Sequence, residues 1–199
     1  MVEGGYRVRQ AAPSEMDGVA ELLSLAFMED PINRWIFPDE ARRRQVHREF
    51  LGAFAGFAFD YGEVYVTEDF TGAILWLPGG GEEPEADDVL IARFAALNED
   101  ELTRFGALMD VMAARSPTEP EFLHAQLVGV LPKHQRSGIG GALVRHRLET
   151  LDAEGMPAYL EASSATSTRL YQRLGFQPFG EPFAAEGAPS MWPMWRDPA

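Results

Sequence analysis

The residues best suited to chemistry lie in one run, Leu127-Val128-Gly129-Val130-Leu131-Pro132-Lys133-His134-Gln135-Arg136-Ser137-Gly138-Ile139-Gly140-Gly141-Ala142-Leu143. A strand-like apolar segment ends at Val130, Pro132 follows, and glycines stand where the next helical periodicity begins. N–H groups in the first turn of a helix have no intrahelical acceptor and sit at the positive end of its dipole. Together they form an anion site suited to a pyrophosphate. Gly138, Gly140 and Gly141 remove the side chains that would hold a phosphate away, and Arg136 adds positive charge. Two phosphate motifs fail here. The dinucleotide fingerprint needs a third glycine where Leu143 stands, and the triphosphate loop needs a Gly-Lys-Ser/Thr that is missing. What remains is Gln-x-x-Gly-x-Gly, filled by Gln135, Gly138 and Gly140.

Candidate proton carriers lie outside that run. Glu161 ends a short apolar segment, and His124 stands near the start of the preceding one; either can accept a proton in general-base chemistry. Asp30, at a helix–loop junction, offers a carboxylate to a cationic ligand. The histidines at 47, 124, 134 and 146 have no metal-ligand spacing, so no metal is expected. The absence of cysteine excludes disulfides, zinc–thiolate sites, iron–sulfur clusters and a cysteine nucleophile. A glycine-flanked serine nucleophile is also missing. Gly79-Gly80-Gly81 has acidic neighbours and no following Lys-Ser/Thr, and reads as a surface loop. Arg42, Arg43 and Arg44 read as a solvated helix face.

The elements that must position these residues follow from periodicity. Tyr6–Gln10 alternates as a strand, and Ser14 is placed to cap a helix that Asp30-Pro31 ends. A second helix is expected from Pro38 to about Asp60, with Val46, Phe50, Phe54, Phe57 and Tyr61 as its apolar stripe. Glu63–Thr67 and Ala73–Leu77 form a hairpin. Helices are expected from Asp87 or Asp88 to Leu97 and from Glu99 to Arg115, then a central strand from Phe122 to Val130. Ile139–Glu154 and Thr166–Leu174 read as helices; Pro157–Glu161, Phe176–Phe179 and Met191–Arg196 read as strands. This alternation predicts an α/β (α+β) architecture around a mixed sheet.

A chain of 199 residues fits one domain, 1–199, large enough to bury a core without staples. The net charge of −14 opposes binding to nucleic acid and to anionic membrane surfaces. No apolar stretch is long enough for a membrane span, and the N-terminal residues lack the apolar core of a secretory signal. The expectation is a cytoplasmic protein, monomeric or homodimeric.

Gln135-x-x-Gly138-x-Gly140 in its strand–loop–helix setting resembles the pyrophosphate loop of the GNAT superfamily of N-acetyltransferases. Pro157-Ala158-Tyr159-Leu160-Glu161-Ala162-Ser163 and Leu170-Tyr171-Gln172-Arg173-Leu174-Gly175-Phe176 resemble the family's following strand and closing helix. Weaker similarity covers Ala26-Phe27, Asp30-Pro31, Trp76-Leu77-Pro78 and Met191–Arg196. The resemblance implies a mostly antiparallel mixed sheet, flanked by helices, whose two central parallel strands splay around acetyl-CoA (coenzyme A). It implies that Val128 and Val130 offer main-chain hydrogen bonds to the pantetheine, with Gly129 between them also in the cofactor site, and that Gln135, Arg136, Ser137, Gly138, Ile139, Gly140 and Gly141 hold the pyrophosphate. Ser164 and Ser167 stand where members of this branch often carry asparagines that contact the cofactor. Tyr171 would contact the cofactor and protonate the leaving thiolate, a task suited to a phenol whose ordinary pKa is about 10. A main-chain N–H near Val128 would stabilise the oxyanion. Glu161 or His124 would take the amine proton, and Glu161 and Asp30 would contact the acceptor. That acceptor would be a small-molecule or peptide amine. A non-catalytic acyl-CoA-binding module, or an enzyme for longer acyl groups, has the same loop.

Overall fold

The computed structural model describes residues 5–81 and 94–199. Strand β1 (Val8–Gln10) leads through a 3-10 turn (Pro13–Glu15) into α1 (Met16–Phe27), α2 (Pro31–Ile36) and α3 (Glu40–Tyr61). Strands β2 (Glu63–Thr67) and β3 (Gly72–Gly79) form the hairpin, and α4 (Glu99–Ala113) leads to β4 (Phe122–Val130). Helix α5 (Ile139–Glu154), β5 (Ala158–Ala162), α6 (Ala165–Arg173), β6 (Gln177–Pro178) and β7 (Trp192–Arg196) complete the chain. The helix expected from Asp87 or Asp88 lies largely outside the described residues; its described end is a turn. No helix among the described residues is long and apolar enough to cross a membrane.

The strands form one sheet in the order β1-β2-β3-β4-β5-β7-β6. Every neighbouring pair is antiparallel except β4 and β5. Side chains alternate across a strand, so β3, buried from Gly72 to Leu77, feeds two cores. Ala73, Leu75 and Leu77 join Val64, Val66 and buried residues of α1–α4. Ile74 and Trp76 join Leu143, Val144, Leu148 and Tyr171 of α5 and α6 on the other face. Coverage on both faces explains why this stretch is continuously apolar in sequence.

Three details differ from expectation. Ser14 does not cap α1; the Glu15 carboxylate instead accepts the Ala12 N–H at 2.8 Å and is held by Arg9 at 2.7 Å. Asp30-Pro31 does more than end α1, because Asp30 caps α2 and Pro31 is that helix's first residue. Arg43 is not solvated: it is 3% exposed and donates to the carbonyls of Met28 and Phe37 at 2.9 and 2.6 Å. Arg42 donates from two nitrogens to the buried Glu101, which belongs to the capping box of α4. That pair ties α3 to α4 and sets the roof over the site.

Candidate active site

The site starts where β4 and β5 stop pairing. Their parallel ladder covers only Leu123↔Ala158 and His124↔Tyr159. Beyond it β4 continues to Val130 along β3 alone, with an irregularity that leaves Gln126 unmatched between Ala125 and Leu127. Leu131 N–H donates to the Thr71 carbonyl on the β3 side. Backbone groups alternate sides along a strand, so Val128 and Val130 turn theirs into the opening. The Val130 carbonyl is engaged there by Gln135 Nε2 at 3.1 Å. Gln135 therefore pins the loop to the strand end, and Val130 keeps its N–H for a ligand.

The loop is shaped to present backbone donors. Arg136 and Gly138 have positive φ, 62° and 98°, a conformation that costs any residue with a Cβ. Ser137 Oγ donates to the His134 carbonyl at 2.6 Å, and the Tyr6 hydroxyl donates to the Ser137 carbonyl at 3.2 Å. The first helical bond of α5 runs from Ala142 N–H to the Gly138 carbonyl. Ile139, Gly140 and Gly141 therefore have N–H groups with no intrahelical acceptor. A Cβ on Gly140 would meet only ordinary contacts, the nearest Leu170 Cδ2 at 3.6 Å. Neither backbone conformation nor protein packing requires glycine there, whereas a ligand lying against the helix end would. The residues present thus fit a pyrophosphate.

A cavity of about 670 Å³ runs from this loop along β4 to α1–α4. Tyr171 lines it, packed on Phe176 with ring centroids 5.9 Å apart. Its hydroxyl takes no partner among the described residues, and burial pushes its pKa up to about 12. Glu161 lines the cavity and receives His124 Nε2 at 2.7 Å. His124 lies behind it, outside the lining. The two base candidates are thus one hydrogen-bonded pair with the carboxylate in front. The buried Tyr159 hydroxyl has no hydrogen-bond partner among the described residues, and burial followed by the Glu161 charge holds its pKa well above the ordinary phenol value.

The remaining expected residues are brought to the cavity but are already engaged. Asp30 Oδ1 accepts from the Ile32 and Asn33 N–H groups at 2.9 and 3.2 Å, and Oδ2 accepts from Ser163 Oγ at 2.8 Å. Ser164 caps α6, taking the Ser167 N–H at 3.1 Å, while Ser167 Oγ donates to the Ser164 carbonyl at 2.8 Å. Sequence reasoning missed Gln126, whose buried Oε1 has no partner among the described residues; a polar residue inside an apolar strand was its signal. It also missed Phe105, Leu108, Met109 and Met112, which line the cavity from α4. Their spacing of three, four and seven residues is that of one helix face.

Splayed parallel strands beside a glycine-rich helix start define the class, a GNAT acetyltransferase fold. Residues 90–178 match the family model described as an acetyltransferase (GNAT) domain. Solved structures extend the likeness to nearly the whole chain. One is a Corynebacterium glutamicum protein described as histone acetyltransferase HPA2 and related acetyltransferase, 21% identical, with TM-score 0.71 over 98% of this chain and 97% of that one. An agmatine N-acetyltransferase is 20% identical, with TM-score 0.65 over 96% and 98%. The Drosophila melanogaster polyamine N-acetyltransferase, which forms N-acetylagmatine, is 21% identical, with TM-score 0.61 over 95% and 97%.

Proposed function

We propose that the chain transfers an acetyl group from acetyl-CoA to a primary amine by direct attack. The observation that carries this reading is one continuous cavity lined by the glycine loop, the free side of β4, Tyr171 and Glu161. Ile139, Gly140 and Gly141 offer N–H groups to the pyrophosphate, and Val128 and Val130 offer strand groups to the pantetheine. Glu161 accepts a proton from the amine as its nitrogen bonds to the thioester carbon. The Val128 N–H, turned into the opening, is the donor for the oxyanion. As the carbon–sulfur bond breaks, Tyr171 gives its proton to the thiolate. Its raised pKa keeps it protonated at neutral pH. His124 holds the Glu161 carboxylate in place from behind.

The test is calorimetric titration with acetyl-CoA, with ATP and NAD as controls, on wild type and Gly140→Trp. Selective binding to wild type, lost when indole fills the loop, is the expected result. Absence of acetyl-CoA binding by wild type would sink the reading.

A further inference from the structure

We infer that the acceptor is a monoamine carried on an apolar body, rather than a diamine, polyamine or guanidine. This rests on the acetyl-transfer reading and concerns the far lobe of the same cavity. That lobe is walled by Phe54 of α3 and by Phe105, Leu108, Met109 and Met112 of α4. Phe54 and Phe105 meet edge-on with centroids 6.0 Å apart, and both contact Phe50, at 5.3 and 5.2 Å, so the aromatic wall is braced from behind. Phe54, Phe105, Met109 and Met112 are only partly covered by protein. Thioethers adapt their shape to a flat or branched apolar guest.

The charge arrangement disfavours a second cation in that lobe. The carboxylates lining the cavity are Glu29, Asp30 and Glu161 among the described residues. Asp30 is committed to the N-terminus of α2 and to Ser163. Glu29 stands 3.8 and 3.9 Å from Arg34 and Arg43, with its side chain mostly exposed. Glu161 alone is at the reacting end, where it meets the first amine. A second ammonium or guanidinium would enter the Phe–Met wall, which has no carboxylate among its described residues, and an unpaired charge in an apolar site is strongly disfavoured. The agmatine- and polyamine-acetylating proteins of the same fold therefore do not set the acceptor of this chain.

The experiment measures thiol release from acetyl-CoA with 2-phenylethylamine, hexylamine, putrescine and agmatine, alongside the calorimetric titration. Wild type should favour 2-phenylethylamine over putrescine by about 30-fold or more in kcat/KM, the worth of burying one aromatic body. Met112→Glu should narrow that ratio by raising turnover of putrescine; Met112→Gln, of similar size and uncharged, should not. Putrescine or agmatine turned over as well as 2-phenylethylamine, with acetyl-CoA bound normally, would overturn this inference and leave the acetyl-transfer reading intact. Failure to bind acetyl-CoA would remove both. The wild-type ratio decides the matter even if Met112→Glu does not fold.

Discussion

At the scale of single residues, the site separates its acid from its base by environment. Tyr171 is buried among apolar neighbours, so its proton is retained until a strong base, the departing thiolate, appears beside it. Tyr171→Phe should lower kcat/KM by about 100-fold, at the lower end of what a positioned proton donor contributes, while acetyl-CoA affinity stays near wild type. Its thermal midpoint should stay near wild type, because phenylalanine keeps the ring and its packing on Phe176. Unchanged turnover would remove Tyr171 from the acid role. Glu161 stands in front of His124, which gives the two an order of importance. Glu161→Gln should cost about 100-fold in kcat, and His124→Gln less, because the carboxylate survives in the second variant. Steady-state assays on both variants check that order; the reverse would make His124 the base.

At the scale of elements, the glycines of the loop do different work, and stability separates them from function. Gly138 has a φ of 98°, so Gly138→Ala should cost about 1–2 kcal/mol, the penalty of left-handed backbone for an L-residue. Gly140 lies in the first turn of α5, where an added Cβ has room. Gly140→Ala should hold or raise the thermal midpoint, since alanine is the better helix former, yet weaken acetyl-CoA binding. Parallel melts and titrations of both variants read this out, and equal behaviour of the two would refute the division. The loop was legible in sequence because all its donors come from one short contiguous run. The β4 and α5 spans were equally plain, since a long apolar run and a sustained helical period have no competing reading. Helix α2 was not legible: six residues hold less than two turns, too few for a period, and Pro31 looks like a stop until Asp30 is seen capping a new start. The acceptor lobe was hidden for a different reason. Its wall joins Phe54 to Met112 across distant parts of the chain, and no local pattern encodes that contact. Arg43 misled because three successive arginines read as solvent-facing, while helical geometry turns the middle one inward against two carbonyls.

At the scale of the whole molecule, the sheet divides two cores, and the one beneath the acceptor lobe contains a polar knot. His47 is 0% exposed. Its Nδ1 lies 2.9 Å from the Ser24 carbonyl and its Nε2 2.8 Å from Asn33 Oδ1, joining α1, α2 and α3. Burial, and then the Arg43 guanidinium, push the imidazole down to about 4 from an ordinary 6.5. The unfolded chain therefore binds a proton at a pH where the folded chain does not. Stability from this group is complete above about pH 6.5, falls as the pH drops towards 4, and levels off below. Between pH 7 and pH 5 the loss should be about 2 kcal/mol. Acidification also relieves the self-repulsion of a chain carrying −14, which acts in the opposite direction. Both effects are present in wild type, but only the second is present in His47→Gln, so the difference between the two chains isolates the histidine. Urea midpoints at pH 7 and pH 5 should therefore shift more in wild type than in His47→Gln, by about 1 M for a chain of this size. Parallel shifts would mean that His47 is charged in the folded protein, with the knot held as an imidazolium between its two oxygen neighbours.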